Sequence, residues 1–90
     1  MKVRVKAFAQ FREILGGENE VEVPDGSGAV EILHRMGELS KPALETLFDA
    51  DNRLRPHVIV MVNGKRMKAG ENPPLADGDE IAVFPPVAGG

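Results

Sequence analysis

The sequence predicts an α+β domain in which helices pack on one face of a mixed β-sheet. Three observations favour this class: segments with alternating polar and apolar residues lie near both ends of the chain, turn signals join these segments in pairs, and a helical segment separates the pairs. The 90 residues are enough for one hydrophobic core. We therefore expect one domain over residues 1–84, followed by a short tail over residues 85–90.

The first predicted hairpin lies at the N-terminus. Residues 2–9 alternate between valine or alanine on one face and basic residues followed by Phe8 on the other, which is typical of a half-buried strand. Residues 10–15 are expected to form a turn of helix that a Gly-Gly pair ends. Residues 19–23 alternate again and stop at a Pro-Asp-Gly turn, so they are predicted to form the second strand.

Two helices are predicted in the middle of the chain. Ser27 is expected to cap a helix that runs to about Glu38, because a serine side chain can accept a hydrogen bond from the first free N–H groups. Ser40 is expected to cap a second, short helix, in which Pro42 occupies the first turn at little cost. Residues 49–56 are polar and are expected to form a loop.

The remaining strands are predicted in the C-terminal third. Residues 57–62, HVIVMV, form the most apolar segment and are expected to be a central strand. Asn63-Gly64 is a strong signal for a two-residue hairpin, after which a short strand is expected over residues 66–68. Residues 80–84, EIAVF, are predicted to form the last strand, which a Pro-Pro pair ends because proline cannot donate to a ladder.

Composition excludes several classes of function. The net charge of -3 argues against a nucleic-acid partner, and the absence of cysteine excludes disulfides and thiolate chemistry. Neither histidine has the spacing of a metal site, and no Ser/His/Asp set is present, so we expect no catalytic site. The chain shows no signal peptide and no apolar run of membrane-spanning length, so a cytoplasmic protein without a membrane partner is expected.

The tail is the strongest candidate for a functional segment. It consists of Pro85, Pro86, Val87, Ala88, Gly89 and Gly90. The prolines favour an extended chain, and the glycines have the smallest cross-section, so a terminal carboxylate could enter a narrow channel in another protein. Adenylation by ATP would convert that carboxylate into an electrophile. The alternative is a frayed, glycine-ended terminus without function.

The outward face of the sheet is the second candidate. If the alternating valines face the helices, the opposite face carries an apolar patch with a basic edge. The patch residues are Phe8, Ile59, Met61, Ala82 and Phe84, and the basic residues are Arg4 and Lys6. The chain has too few helical residues to cover this face, so the patch predicts a partner-binding surface. The alternative is an error of register, such as a bulge that turns Phe8 inward.

The C-terminal stretch, DGDEIAVFPPVAGG over residues 77–90, resembles that of the MoaD family, the small subunits of molybdopterin synthase in the MoaD/ThiS superfamily. Residues 7–14 resemble the family's first strand and the turn after it, and Asn63-Gly64 fits the hairpin before the final strands. The resemblance implies a ubiquitin-like β-grasp fold with helices on one face of the sheet.

The same resemblance implies a sulfur carrier without a catalytic site of its own. An E1-like enzyme, similar to MoaB, would adenylate Gly90 with ATP, and sulfur transfer would then make a thiocarboxylate. The MoaE-like large subunit of molybdopterin synthase would bind the tail, with Gly89 in its channel, and use the sulfur to build the molybdopterin dithiolene. Phe8 and Phe84 would lie in the sheet-face contact, and the domain itself would bind no cofactor. The alternative is an archaeal-type ubiquitin-like modifier that Gly90 joins to substrate lysines.

Overall fold

One mixed sheet of five strands forms in the part of the chain that the computed structural model describes, residues 1–56, 58–68 and 70–84. The strands are β1 (Lys2–Ala7), β2 (Glu18–Glu22), β3 (Ile59–Val62), β4 (Lys65–Arg66) and β5 (Glu80–Phe84). Their order across the sheet is β2-β1-β5-β3-β4. β1 and β5 are parallel, whereas the other neighbours are antiparallel. The predicted α+β class is confirmed. The apolar strand β3 lies inside the sheet, between β5 and β4, and β5 occupies the middle.

Helices cover one face of this sheet and enclose the core. The helices of the described residues are α1 (Gln10–Leu15), α2 (Ala29–Gly37) and α3 (Lys41–Leu47). The largest fully buried side chains come from both layers, and they are Val3, Val5, Val60, Ile81 and Val83 from the sheet and Phe11, Ile32, Leu33, Met36 and Leu47 from the helices. None of these described helices is long and apolar enough to cross a membrane.

The start of α2 differs from the prediction. Gly28 is the N-cap residue, and the hydroxyl of Ser27 donates a hydrogen bond back to the carbonyl of Pro24 at 2.7 Å. The cap comes instead from Asn72, whose side-chain oxygen accepts from the N–H of Val30 at 2.9 Å. The predicted Ser27 cap was therefore wrong, because a distant loop supplies the acceptor that the local sequence was expected to supply.

The loop before β5 holds the first turn of α2 through further contacts. The N–H of Ala29 donates to the carbonyl of Pro73, and the N–H of Leu75 donates to the carbonyl of Ser27, both at 3.0 Å. A Cβ atom on Gly28 would lie only 2.3 Å from the side-chain oxygen of Asn72. Glycine at this position leaves room for the Asn72 side chain that caps the helix.

Other boundaries follow the sequence pattern closely. Ser40 is the N-cap residue of α3 with a proline in the first turn, as predicted, although its side chain makes no capping hydrogen bond. Asn63 and Gly64 both have positive φ, at 50° and 82°, as the predicted two-residue hairpin requires. The strand after this turn is Lys65–Arg66, slightly earlier than predicted. Residue 57, where the preceding strand was predicted to begin, lies outside the described residues.

Candidate functional site

The outer face of the sheet carries the five predicted patch residues as neighbours. We call them the apolar strip, which consists of Phe8, Ile59, Met61, Ala82 and Phe84. The register pairs Ile59 with Phe84 and Met61 with Ala82 across β3 and β5. All five side chains are at least partly exposed. The strip is therefore one continuous apolar surface on the side of the sheet opposite the helices.

A pair of stacked aromatic rings forms one end of the apolar strip. The ring centroids of Phe8 and Phe84 are 4.4 Å apart and their planes differ by 11°. Phe8 extends the parallel ladder beyond β1, since its N–H donates to the carbonyl of Val83 at 3.2 Å. Its side chain is 38% exposed. No bulge turns Phe8 inward, so the alternative register is not adopted.

The backbone next to this pair is strained. Ala9 has φ 53° and ψ -124°, a region that residues other than glycine rarely adopt. This residue ends the strand two residues earlier than predicted and reverses the chain into α1. Three residues after the exposed Phe8, Phe11 is fully buried in the core. The strained residue thus allows one aromatic side chain to face solvent and the next to anchor the helix.

The predicted basic edge is present, but carboxylates neutralise it. The ammonium of Lys6 lies 3.3 Å from a carboxylate oxygen of Glu80. The guanidinium of Arg4 lies 3.7 Å from Glu80 and 3.9 Å from Glu18. Exposed pairs of this kind add little to stability, but they cancel charge. Sequence reasoning identified both cations and missed the glutamates. The alternation of glutamate in β2 was a signal for Glu18, whereas the position of Glu80 follows from the pairing of β1 with β5.

The tail residues lie outside the residues that the structure describes. These residues are Pro85, Pro86, Val87, Ala88, Gly89 and Gly90. They follow Phe84 directly in the sequence, so the chain enters the tail from one end of the apolar strip. The predicted carrier role of Gly90 stays a prediction, as does the binding role of the strip.

His34 makes contacts within the fold that need no functional role to explain them. The Nδ1 atom of His34 lies 3.0 Å from a carboxylate oxygen of Glu38, one helical turn further along. Its ring packs against that of Phe48 in a T-shaped arrangement, with ring centroids 5.0 Å apart. Among the described residues, no group of histidine, aspartate and glutamate side chains could hold a metal ion.

Comparison with known proteins identifies what the chain is similar to. The model of the ThiS family matches residues 5–90. Small archaeal modifier protein 3 of Haloferax volcanii is 35% identical, and the alignment covers 100% of both chains. The molybdopterin synthase sulfur carrier subunit of Chlamydomonas reinhardtii is 29% identical, also over 100% of both chains. The crystal structure of SAMP1 from Haloferax volcanii has a TM-score of 0.82 at 35% identity, with 100% of each chain covered. These similarities confirm the ubiquitin-like β-grasp fold.

Proposed function

We propose, since the chain belongs to the ThiS family, that it is a ubiquitin-like carrier that acts through Gly90 and has no catalytic site of its own. The observation that carries the proposal is that the family match runs through Gly90 itself, so the glycine is part of the matched pattern. The apolar strip supports it, because Phe84 at its end is followed by six residues that can reach at most about 20 Å. A partner docked on the strip is within reach of the tail.

The proposed chemistry begins with activation of the terminal carboxylate. An oxygen of the Gly90 carboxylate attacks the α-phosphate of ATP in an E1-like enzyme, pyrophosphate leaves, and an acyl-adenylate forms. A hydrosulfide ion then attacks the carbonyl carbon, displaces AMP and loses its proton, which leaves a thiocarboxylate on Gly90. The activating enzyme supplies the ATP site, so the carrier contributes only its docking surface and its tail.

The first candidate function is sulfur donation for molybdopterin synthesis. In this role the chain is the small subunit of molybdopterin synthase, and a MoaE-like large subunit receives the tail and uses the sulfur for the dithiolene. The Phe-Pro-Pro-Val segment before the glycines and the similarity to the carrier subunit of Chlamydomonas reinhardtii support this assignment.

Protein modification is the second candidate. The identity to small archaeal modifier protein 3, 35%, exceeds the 29% to the sulfur carrier subunit, and this difference favours the modifier. A substrate lysine would attack the same adenylate and displace AMP to form an isopeptide bond with Gly90. Both candidates therefore use the same glycine and the same activating enzyme, and they differ in the nucleophile that follows.

The mass of the protein from its own host distinguishes the two candidates. Replacement of one carboxylate oxygen by sulfur, together with alkylation of that sulfur by iodoacetamide, supports the carrier. Higher-mass conjugates support the modifier. A variant that lacks Gly89-Gly90 is the control, and both signals must disappear in it. A chain that shows neither modification would overturn the proposal and leave an inert interaction domain.

To detect conjugates by mass spectrometry, one must search for the C-terminal peptide of this chain that a protease leaves attached to the modified lysine. The last basic residue is Lys68, so trypsin leaves residues 69–90 attached to a modified lysine, and a search for a Gly-Gly remnant fails. The last acidic residue is Glu80, so a protease that cleaves after glutamate leaves the shorter remnant of residues 81–90. That shorter remnant on a lysine identifies both the substrate and the bond.

A further inference from the structure

We propose that Arg66 forms an ion pair with an acidic side chain of the E1-like activating enzyme, at the rim of the contact that the apolar strip makes. The inference rests on the proposed function, since it assumes that an activating enzyme docks on the strip. It adds the residue that orients the enzyme, and this residue differs from the two cations that the sequence predicted, Arg4 and Lys6.

The register places Arg66 at the edge of the apolar strip. It pairs with Met61 across β3 and β4, so its side chain shares the outer face with that methionine. β4 is the edge strand of the sheet, and Arg66 is exposed. A partner that covers the strip therefore meets the Arg66 side chain at its border, where interfaces are polar and hydrated.

On the β1 side of the apolar strip, the cations of the outer face already have carboxylate partners. On β1, Lys2 lies 3.6 Å from Glu20, and Arg4 and Lys6 both contact Glu80. Among the described residues, no carboxylate lies within ion-pair distance of Arg66. The face is therefore neutralised on the β1 side of the strip and carries an uncompensated positive charge on the β4 side.

This asymmetry specifies the charge of the partner. A partner that presented a cation opposite Arg66 would be repelled, whereas a carboxylate there gains an attraction that the β1 side does not offer. Uncompensated positive charge on only one side of the apolar strip also fixes the orientation in which the partner approaches. Arginine suits this position because its planar guanidinium can bind a carboxylate through two hydrogen bonds.

The neighbouring lysine supplies a matched control. Lys65 pairs with Val62, which packs against the core, so Lys65 shares the other face of the sheet. Arg66→Glu and Lys65→Glu change the net charge by the same amount at adjacent exposed positions. The probe is the purified E1-like enzyme of the same host, and the measurement is ATP–pyrophosphate exchange as a function of carrier concentration.

We expect Arg66→Glu to raise the KM for the carrier about five- to tenfold with little change in kcat, and Lys65→Glu to raise it less than about twofold. Arg66→Gln should give an intermediate KM, and high salt should reduce the difference between Arg66→Glu and the wild type. Thermal unfolding of each variant checks that the fold is intact.

Equal KM values for the Arg66→Glu and Lys65→Glu variants would overturn the proposal while leaving the proposed function in place. A wild-type carrier that supports no exchange would instead overturn the proposed function. Charge reversal of the partner carboxylate, from Asp or Glu to Arg, should restore a low KM to Arg66→Glu if the ion pair forms.

Discussion

The two faces of the central strands serve different purposes. On the inner face of β1 and β5, the side chains of Val3, Val5, Ile81 and Val83 are fully buried beneath the helices. On the outer face, the neighbouring side chains are partly exposed, and Phe8 reaches 38%. Because side chains alternate along a strand, one short segment supplies both the core and the candidate docking surface. The comparison implies that stability and partner binding should separate residue by residue along β5.

The largest expected effect comes from the inner face. Ile81→Ala removes a fully buried side chain from the middle strand, and it should lower the free energy of unfolding by about 2–5 kcal/mol. Chemical denaturation followed by circular dichroism measures the loss. Phe84→Ala on the outer face is the control and should cost less, since it loses mainly the contact with Phe8, worth about 0.5–1.5 kcal/mol. Equal losses would show that the outer face also belongs to the core.

The next largest effect should appear in binding. Phe84→Asp places a carboxylate in the apolar strip, so we expect the affinity for the activating enzyme to fall about 30-fold or more, as for an aromatic residue that dominates an interface. The fold should remain cooperative, because Phe84 is only partly buried. Titration calorimetry and thermal unfolding check the two halves of this prediction. A loss of cooperative unfolding in this variant would place Phe84 in the core.

The alternation of residues predicted the two faces from the sequence. The period of two placed the valines inside and Phe8, Ile59 and Phe84 outside, and the turn chemistry of Asn63-Gly64 joined two of the strands correctly. These features are local, so a single sequence contains them. The same reasoning missed the neutralisation of Lys6 by Glu80, because that pair depends on which strands lie side by side.

The cap of α2 illustrates what the sequence could not predict. A serine before a helical pattern is a common cap, yet the acceptor for the N–H of Val30 lies 42 residues away, on Asn72. Phe11 likewise carried no sequence signal for its complete burial, which requires the reversal at Ala9. Non-local contacts decide both features, and helix propensity and spacing do not report them.

The helices that cover the inner face of the sheet include α2, whose N-terminus is capped by the distant Asn72 side chain. Asn72→Ala should lower the free energy of unfolding by about 1 kcal/mol, the usual cost of losing a side-chain cap. Gly28→Ala should cost a similar amount in the wild type, because the added Cβ displaces the Asn72 side chain. Denaturant titration of both single variants and the double variant measures the coupling.

The double variant supplies the control for this pair. In the Asn72→Ala background, Gly28→Ala should cost less than it does in the wild type, since the side chain that obstructs the new Cβ is gone and only the poorer N-cap preference of alanine remains. Additive losses would contradict the proposed contact. The partner affinity of all three variants should match that of the wild type, because α2 lies on the other side of the sheet.

The smallest expected effect is a gain in stability at the point where the two faces separate. Ala9→Gly should relieve a backbone strain of about 1–3 kcal/mol, offset by the entropy of a more flexible unfolded chain, for a net gain below about 1 kcal/mol. Thermal unfolding measures the gain. Ala9→Val is the control and should be less stable than the wild type, because a β-branched residue tolerates positive φ poorly. A lower melting temperature for Ala9→Gly would show that residue 9 is not strained in solution, and the exposure of Phe8 would then need another cause.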